Sequence, residues 1–375
     1  MKKNVIFLLS ALILALGMTS CCETIHEYPD EGRAAVSLTM NVRNLAPEIY
    51  TVVDYTIDNT NPGIFGIDEW RSLESRTFDA PQFERYYLGE NKIASNEWNL
   101  RLVWEIYYGS NEEVRIGRGD LIERKVQLID AAIELPSYTT EIELPAGTYT
   151  LLAWADYVPV GTEEDHFYDT QNMSAIKSDL VLRENCQDND LRDCFARTYE
   201  FRIENVKYLG EPRHYETTLT RPQGRYVVLA TDYKDYLDLS NVPVEENTVD
   251  CFYPTFLNVG YSIPEARPNL SASQIGYKFT PMRYVFDEKE MVSLGDDYSF
   301  VNGKESHLIL NLTVMNPQGN EISKNENIDI PIYPDKLTIV LGRFLANSGN
   351  SGGLGIDDKF ENEIVIKFKR RNNNK

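Results

Sequence analysis

Residues 34–42 read Ala34-Ala35-Val36-Ser37-Leu38-Thr39-Met40-Asn41-Val42, with an apolar side chain at every second position from Val36 onward. Successive side chains of a β-strand point to opposite faces, so this period of two predicts a strand with one face in a hydrophobic core. We therefore expect the folded part of the chain to begin with a strand that fills a groove in that core.

The same alternation recurs along the chain, and no long segment keeps a helical period. Short helices are expected at most in residues 112–123 and 169–177. Repeated strands with turns between them predict an all-β sandwich or barrel. The further predicted strands are residues 100–108, 126–128, 139–144, 148–157, 199–206, 217–219, 225–231, 277–279, 308–314, 328–332, 336–344 and 363–368.

Two turn signals are specific enough to predict connections. Pro145-Ala146-Gly147 combines two residues that interrupt regular structure, and predicts a hairpin between residues 139–144 and 148–157. Asn316-Pro317-Gln318-Gly319-Asn320 predicts a turn directly after the strand at residues 308–314.

The length of the chain, 375 residues, suggests about two domains. The strands fall into two series, and the polar segment Gly210-Glu211-Pro212-Arg213 lies between them. We therefore predict an N-terminal β-sandwich domain at residues 33–212 and a C-terminal one at residues 213–370.

The first residues have the pattern of an export signal. Lys2 and Lys3 precede an apolar run at residues 5–16, and Ser20-Cys21 follows it. That run is too short to cross a bilayer, which takes roughly 20 residues. A cysteine after a small residue resembles the bacterial lipobox, although Met18 stands where Leu is commonest. The pattern predicts a signal peptide at residues 1–20 and lipid on Cys21.

Two alternatives to lipid on Cys21 remain open. Cleavage before Cys22 would place Cys21 at the small-residue position, and an ordinary secreted protein could carry the cysteine by chance. Residues 21–32 contain several acidic side chains and form a predicted tether. The tether resembles the acidic surface-export segment of Bacteroidales lipoproteins, and it also fits a solvated linker.

The composition limits the partners. The formal net charge of −21 repels nucleic-acid phosphates, so we expect no nucleic-acid partner. The same charge repels anionic lipid headgroups, so attachment to a membrane falls to the N-terminal lipid.

Three cysteines lie beyond the N-terminal pair. Cys186 and Cys194 bracket a short polar segment and could form a disulfide in an exported protein. Two separate reduced thiols are the alternative. Cys251 lies among apolar residues and is interpreted as a small core residue.

The sequence contains no motif of a known catalytic or cofactor site. There is no G-x-S-x-G, H-E-x-x-H or Walker loop. The acidic stretch around Asp165-His166 and the aspartates at 188, 190 and 193 are interpreted as solvated loops rather than metal sites. We therefore predict a protein that is not an enzyme and binds neither metal nor cofactor.

Several segments together resemble the fimbrillin-type proteins of Bacteroidales, the subunits of type V pili. Those subunits are exported as lipoproteins, which fits Cys21, and the likeness spans most of residues 30–369. The segments are LPAGTYTLLAWA at 144–155, TRPQGRY at 220–226, YPTFLNV at 253–259 and IPIYPDKLTIVLG at 330–342.

The resemblance implies two transthyretin-like β-sandwich domains in tandem and assembly with other fimbrial subunits by strand donation. Donation adds an extended segment of one subunit to the sheet of the next. Stalk subunits lose their first strand to an arginine-specific cut, whereas anchor subunits keep the strand and the lipid. Arg33 precedes the first predicted strand and Arg43 follows it, so both are possible processing sites. The last predicted strand, residues 363–368, is a donor candidate or the last core strand.

The resemblance also implies a location, namely the outer membrane, facing the cell exterior, within a fimbrium and with an adhesive role. We favour a lipid-retained anchor because neither arginine stands out as a cleavage site. The alternative is a surface glycan-binding lipoprotein of a carbohydrate-uptake system. A row of tryptophans on an open face would favour sugar binding, and a first strand at a sheet edge would favour assembly. Of the tryptophans at 70, 98, 104 and 154, Trp104 and Trp154 are interpreted as core residues.

Overall fold

The computed structural model describes residues 32–43, 46–73, 97–131, 133, 135–179, 191–204, 212–240, 242–286 and 289–346. β-strands dominate, and the predicted all-β class is confirmed. The signal peptide, most of the tether and the predicted strand at residues 363–368 lie outside the described residues.

The strands are β1 (Ala34–Val42), β2 (Glu48–Asp54), β3 (Gly63–Gly66), β4 (Trp98–Tyr108), β5 (Asp120–Asp130), β6 (Ser137–Leu144), β7 (Gly147–Pro159), β8 (Tyr168–Asp169), β9 (Ile176–Ser178), β10 (Cys194–Ile203), β11 (Arg213–Leu219), β12 (Gln223–Ala230), β13 (Thr248–Tyr253), β14 (Leu257–Ser262), β15 (Arg267–Ala272), β16 (Ile275–Phe279), β17 (Met282–Phe286), β18 (Lys289–Phe300), β19 (Ser306–Met315), β20 (Glu321–Ile332) and β21 (Lys336–Gly342).

Helices are short. They are α1 (Ile67–Ser72), α2 (Asn111–Arg115), α3 (Tyr233–Leu239) and a 3-10 turn at Val244–Glu246. No helix in the described residues is long and apolar enough to cross a membrane.

The first sandwich packs a three-stranded sheet, in the order β11-β1-β6, against a four-stranded sheet, in the order β10-β7-β4-β5. Their facing side chains form one core, in which Leu38 of β1 lies with Trp104 of β4 and Tyr149 of β7. The alternation read from residues 34–42 thus marks the face of β1 that points into this core.

The second sandwich packs a six-stranded sheet, in the order β17-β18-β12-β21-β2-β3, against a four-stranded sheet, in the order β16-β13-β19-β20. The far face of the six-stranded sheet is also covered, with Trp70 of α1 in the cluster there. Burial on both faces explains why β12 reads as a continuous apolar run at Tyr226–Ala230 rather than an alternating one.

Strands pair across the boundary predicted between residues 212 and 213. β2 pairs in parallel with β21 of the second sandwich, and β11 pairs in parallel with β1 of the first. A fifth sheet, in the order β15-β14-β9-β8, joins strands from both parts of the chain. The sandwiches are therefore linked by main-chain hydrogen bonds.

The predicted hairpin at Pro145-Ala146-Gly147 is wrong, because the two strands belong to different sheets. β6 pairs with β1, whereas β7 pairs with β4 and β10. The chain changes sheet at this turn, and the Tyr149 hydroxyl donates to the Pro145 carbonyl at 2.7 Å. A side chain at Gly147 would collide with the ring of Tyr108. Turn residues mark a change of direction but not the partner of the next strand.

The turn at residues 316–320 is confirmed and joins β19 to β20. The Asn316 carboxamide accepts the main-chain N–H groups of Gln318 and Asn320 at 3.0 and 2.8 Å. Of the expected helices, residues 112–123 supply only α2 before β5 begins, and residues 169–177 form strands β8 and β9 with a turn between them.

The core of the second sandwich contains a buried hydrogen-bond network. The Tyr253 hydroxyl donates to Asp297 Oδ2 at 2.7 Å, and the Tyr226 hydroxyl lies 2.6 Å from that of Tyr253 and 2.9 Å from that of Tyr277. Burial raises the pKa of Asp297 to about 6, although nearby Arg192 and these hydrogen bonds work in the opposite direction. Asp296 beside it adds a second negative charge that also raises the pKa.

We predict that Asp297→Asn changes how stability depends on pH. The folded-state pKa is about 6 against an ordinary value of 3.8, so the native protein binds more protons than the unfolded chain between these values. Stability from this group therefore falls as pH rises through that window, by on the order of 2–3 kcal/mol. In urea unfolding from pH 4 to 7, the free energy of unfolding of the variant should increase relative to that of the wild type as pH rises.

The matched control for this prediction is Asp238→Asn, at an exposed position on α3. Its difference in unfolding free energy from the wild type should stay constant over the same pH range. A constant difference for Asp297→Asn as well would contradict the role given to this carboxyl group.

Candidate functional site

The first strand lies in the middle of its sheet. Residues 36–42 pair in parallel with residues 213–219 of β11, and residues 34–41 pair in antiparallel with residues 137–144 of β6. Both edges of β1 are therefore hydrogen-bonded. The edge position that would favour assembly is not found, because β11 arrives from the second half of the chain and closes the other side. Removal of β1 would instead open a groove between β6 and β11.

The inward face of β1 is completely buried. Val36, Leu38, Met40 and Val42 are each 1% exposed or less, which confirms the expectation that this segment fills a core groove. Full burial of one such side chain contributes about 1.5–3 kcal/mol, so the four contribute roughly 6–12 kcal/mol. A typical domain is stable by only about 5–15 kcal/mol. The groove therefore needs a strand in it at all times.

The outward face of β1 is polar. Thr39 Oγ1 lies 3.0 Å from Thr139 Oγ1 of β6, and Asn41 Nδ2 donates to Glu216 Oε1 of β11 at 2.6 Å. These contacts join β1 to both neighbours, but they are partly exposed and contribute little. β1 is held in this groove mainly by the apolar side chains of its other face and by main-chain hydrogen bonds.

The two arginines that flank β1 have different surroundings. Arg33 is exposed and lies before the first paired residue. Arg43 is half-exposed, its main-chain N–H donates to the Leu219 carbonyl at 3.3 Å, and its Nη1 lies 3.5 Å from Asp335 Oδ2. Arg43 is therefore attached to the sheet and to the second sandwich, whereas Arg33 lies outside the paired region.

Asp335 connects Arg43 to a buried ion-pair network that the sequence does not reveal. Asp335 lies in the turn between β20 and β21 and also accepts from Arg221. The Arg221 guanidinium is fully buried and binds Asp193 through two nitrogens, at 2.5 and 2.7 Å. Burial opposes the charge of Arg221, but the two carboxylates outweigh it and raise its pKa. Arg221 lies in the segment TRPQGRY and Asp335 in IPIYPDKLTIVLG, which are conspicuous in sequence without indicating a contact.

The cysteine predictions fall partly outside the described residues. Cys21 and Cys186 are not among them. Cys194 is a buried free thiol that donates to Gln223 Oε1 at 3.1 Å, and burial raises its pKa. The Cys186–Cys194 disulfide stays a prediction. Cys251 is 1% exposed in the second core.

The acidic candidates for metal binding are engaged in other contacts. Asp165 accepts from Arg101 Nη1 at 2.8 Å and from Thr170 Oγ1 at 2.7 Å. Asp193 is the partner of Arg221, and the aspartates at 188 and 190 lie outside the described residues. Within the described ranges, no group of three or more His, Cys, Asp or Glu side chains has the arrangement of a metal site.

The tryptophans do not form a sugar-binding platform. All four lie in described segments, and Trp70, Trp104 and Trp154 are at most 4% exposed. Trp98 is half-buried and stacks on Phe167 with 5.8 Å between ring centroids. The open tryptophan row that would favour the glycan-uptake alternative is therefore not found.

The solved structures that align with this chain have low sequence identity to it. A protein from Bacteroides thetaiotaomicron described as a candidate adhesin is 10% identical, with a TM-score of 0.40 and 80% of each chain covered. The fimbrial anchor protein Mfa2 of Porphyromonas gingivalis is 12% identical, with a TM-score of 0.33 and coverage of 77% of this chain and 82% of that one. The tip fimbrial protein Mfa3 of the same organism is 12% identical, with a TM-score of 0.33 and coverage of 80% and 81%. Likeness at this level carries no argument about function.

A family model identifies the chain more clearly than these weak structural similarities do. No curated protein matches the chain. A family model covers most of its length. The matched part includes β6 and β11, the two strands beside β1, but not β1 itself. The chain belongs to the family of unknown function DUF6562, whose model matches residues 72–374.

Proposed function

We propose that this chain is a lipid-anchored fimbrial subunit or fimbrial anchor of the outer membrane, facing the cell exterior, that assembles by β-strand donation and is not an enzyme. The observation that carries the proposal is the apolar groove that β1 fills, not a place at the sheet edge. A strand with four fully buried apolar side chains lies between two strands that arrive from elsewhere in the chain.

Strand donation has a clear physical basis in such a groove. In a subunit from which β1 has been removed, an incoming extended segment would supply the same main-chain hydrogen bonds to β6 and β11. Its alternate side chains would occupy the positions of Val36, Leu38, Met40 and Val42. The exchange replaces one buried apolar face by another, so the net cost is small once the segment is present. Residues 363–368, with Ile364, Ile366 and Phe368 in alternation, have the pattern of such a segment.

The surroundings of Arg43 support the anchor over the stalk. A protease needs an extended, accessible segment on both sides of the bond that it cleaves. Arg43 is bonded to Leu219 and Asp335, and cleavage after it would require these contacts to break. Cleavage after the exposed Arg33 would release only the tether and leave β1 in place. The retained strand and the lipid on Cys21 together describe an anchor. With β1 retained the groove stays filled, so an anchor would join its neighbour as the donor, through residues 363–368.

The groove predicts unequal effects of one substitution at two adjacent positions. Leu38→Asn places an amide in the core and should lower the free energy of unfolding by about 3–5 kcal/mol. Thr39→Asn, on the outward face, is the matched control and should lower it by about 1 kcal/mol or less. Urea denaturation of both variants measures the difference, and equal losses would contradict the assignment of the inward face.

Lipid on Cys21 predicts a loss of membrane attachment on substitution. In cell fractionation, Cys21→Ala should leave the membrane fraction, because the acidic surface offers no other attachment to anionic lipid. Cys22→Ala is the matched control and should stay with the membrane. Retention of the Cys21→Ala protein in membranes would rule out the lipoprotein assignment.

The anchor proposal predicts a particular N-terminus in assembled material. Mass spectrometry of isolated surface filaments should find the chain there with a lipidated Cys21 peptide. A mature N-terminus at Asn44 would identify a cleaved stalk subunit and contradict the anchor. Absence of the chain from every filament would contradict assembly altogether.

A further inference from the structure

The outer face of the four-stranded sheet β16-β13-β19-β20 holds a cleft of about 490 Å³. It lies in the second sandwich, on the side of this sheet that faces away from the core. Volumes of about 300–1,000 Å³ are usual for sites that bind small molecules. The side chains that line the cleft and carry its chemistry are Asp250, Phe252, Lys278, Asn311, Thr313, Lys324 and Glu326.

Irregularities in the sheet shape this cleft. β20 carries a bulge, because the pairing shifts from Leu310 opposite Ile328 to Leu312 opposite Asn325. Asn327 in the bulge has a φ of 59°, a conformation that asparagine tolerates better than most residues, and its N–H donates to Asn311 Oδ1 at 2.8 Å. Bulges bend a strand and redirect its side chains. This bulge therefore holds Asn311 in a fixed orientation in the cleft.

A glycine lets β16 approach the main chain of β13 closely beside the cleft. Gly276 of β16 lies opposite Phe252 of β13, and a side chain there would collide with the Cys251 carbonyl oxygen. The half-buried Phe252 ring forms part of the cleft wall.

Some polar groups of the cleft are engaged within the protein and others are not. Lys324 and Glu326 form an ion pair at 2.6 Å. Within the described part of the chain, the Asp250 carboxylate, the Thr313 hydroxyl and the Lys278 ammonium make no hydrogen bond or ion pair with a neighbouring side chain. The half-buried Asp250 and Thr313 and the exposed Lys278 can therefore bind a ligand at a small desolvation cost.

The charges in the cleft indicate the kind of ligand. Asp250 and Glu326 balance Lys278 and Lys324, so neither anions nor cations gain a net attraction. A neutral ligand with many hydroxyl groups both donates and accepts, and so suits carboxylate, amide, hydroxyl and ammonium groups together. The Phe252 ring offers an apolar surface to the C–H face of a sugar ring. We propose that this cleft binds a neutral saccharide.

This inference goes beyond the proposed assembly role and is tested independently of it. The cleft and the β1 groove lie in different sandwiches, so filament formation does not require the cleft to be occupied. Binding of a saccharide by the isolated protein does not require filaments. Failure of one proposal therefore leaves the other unaffected.

The test measures binding of the full chain to an array of neutral, sialylated and sulfated oligosaccharides, followed by calorimetry on the glycans that bind. We expect neutral glycans to bind, and Asp250→Asn and Phe252→Ala each to weaken that binding at least tenfold. Thr313→Trp should abolish it by filling the cleft. Circular dichroism and urea unfolding establish that each variant folds.

Two matched controls separate the cleft from the general surface. Tyr50→Ala removes an exposed aromatic ring on β2, and Asp238→Asn removes an exposed carboxylate on α3, and neither residue lines the cleft. Neither should change the affinity. The proposal is overturned if no neutral glycan binds, if only charged glycans bind, or if the cleft variants bind as well as the controls.

Discussion

Main-chain hydrogen bonds along both edges of β1 determine how the parts of the molecule fit together. β1 takes one neighbour, β6, from the following part of the first sandwich and the other, β11, from just before the second. β11 is followed directly by β12, a central strand of the six-stranded sheet. β2, which follows β1 in sequence, belongs to that same sheet and pairs with β21. The order of strands in both sandwiches therefore depends on where β1 is held.

Buried ion pairs reinforce this arrangement at the junction of the sandwiches. Arg221 binds Asp193 and Asp335, and Arg43 at the end of β1 reaches the same Asp335. Removing one partner from such a pair leaves an unpaired charge in a buried site and typically lowers stability by about 3–5 kcal/mol. Replacing a whole pair by apolar residues often costs nothing, so the pairs contribute more to a defined orientation than to net stability. The geometry thus favours one position for the end of β1.

The two proposed roles use different physical properties of the two sandwiches. The β1 groove is apolar and closed, and it discriminates by shape and by the alternation of buried side chains. The cleft on the outer face of the β16-β13-β19-β20 sheet is polar and open, and it discriminates by the pattern of donors and acceptors. A surface protein that is held by one sandwich and binds by the other needs no movement between them. The formal net charge of −21 repels anionic lipid headgroups and nucleic-acid phosphates.

The sequence alone determined the local elements, because strand periodicity is written into neighbouring residues. The bounds of β1 and the burial of Leu38 and Trp104 followed from alternation, and the burial of Trp154 followed from a run that is apolar on both faces. The turn at residues 316–320 followed from its Asn, Pro and Gly residues. Pairing partners did not follow, because hydrogen bonds between strands leave no periodic trace in either strand. Hence the hairpin at residues 145–147 was wrong, and the central place of β1 was missed.

Charged contacts and concave surfaces could not be predicted from the sequence either. Arg221 and Asp335 are separated by more than a hundred residues, and nothing in either segment specifies the other. Asp250, Lys278, Asn311 and Glu326 come from four strands and form a cleft only once the bulge in β20 and the close approach of β16 to β13 at Gly276 have shaped the sheet. The sequence determines which faces are apolar. Only the tertiary structure decides which polar side chains meet, because that depends on strand order and register, which are properties of the whole fold.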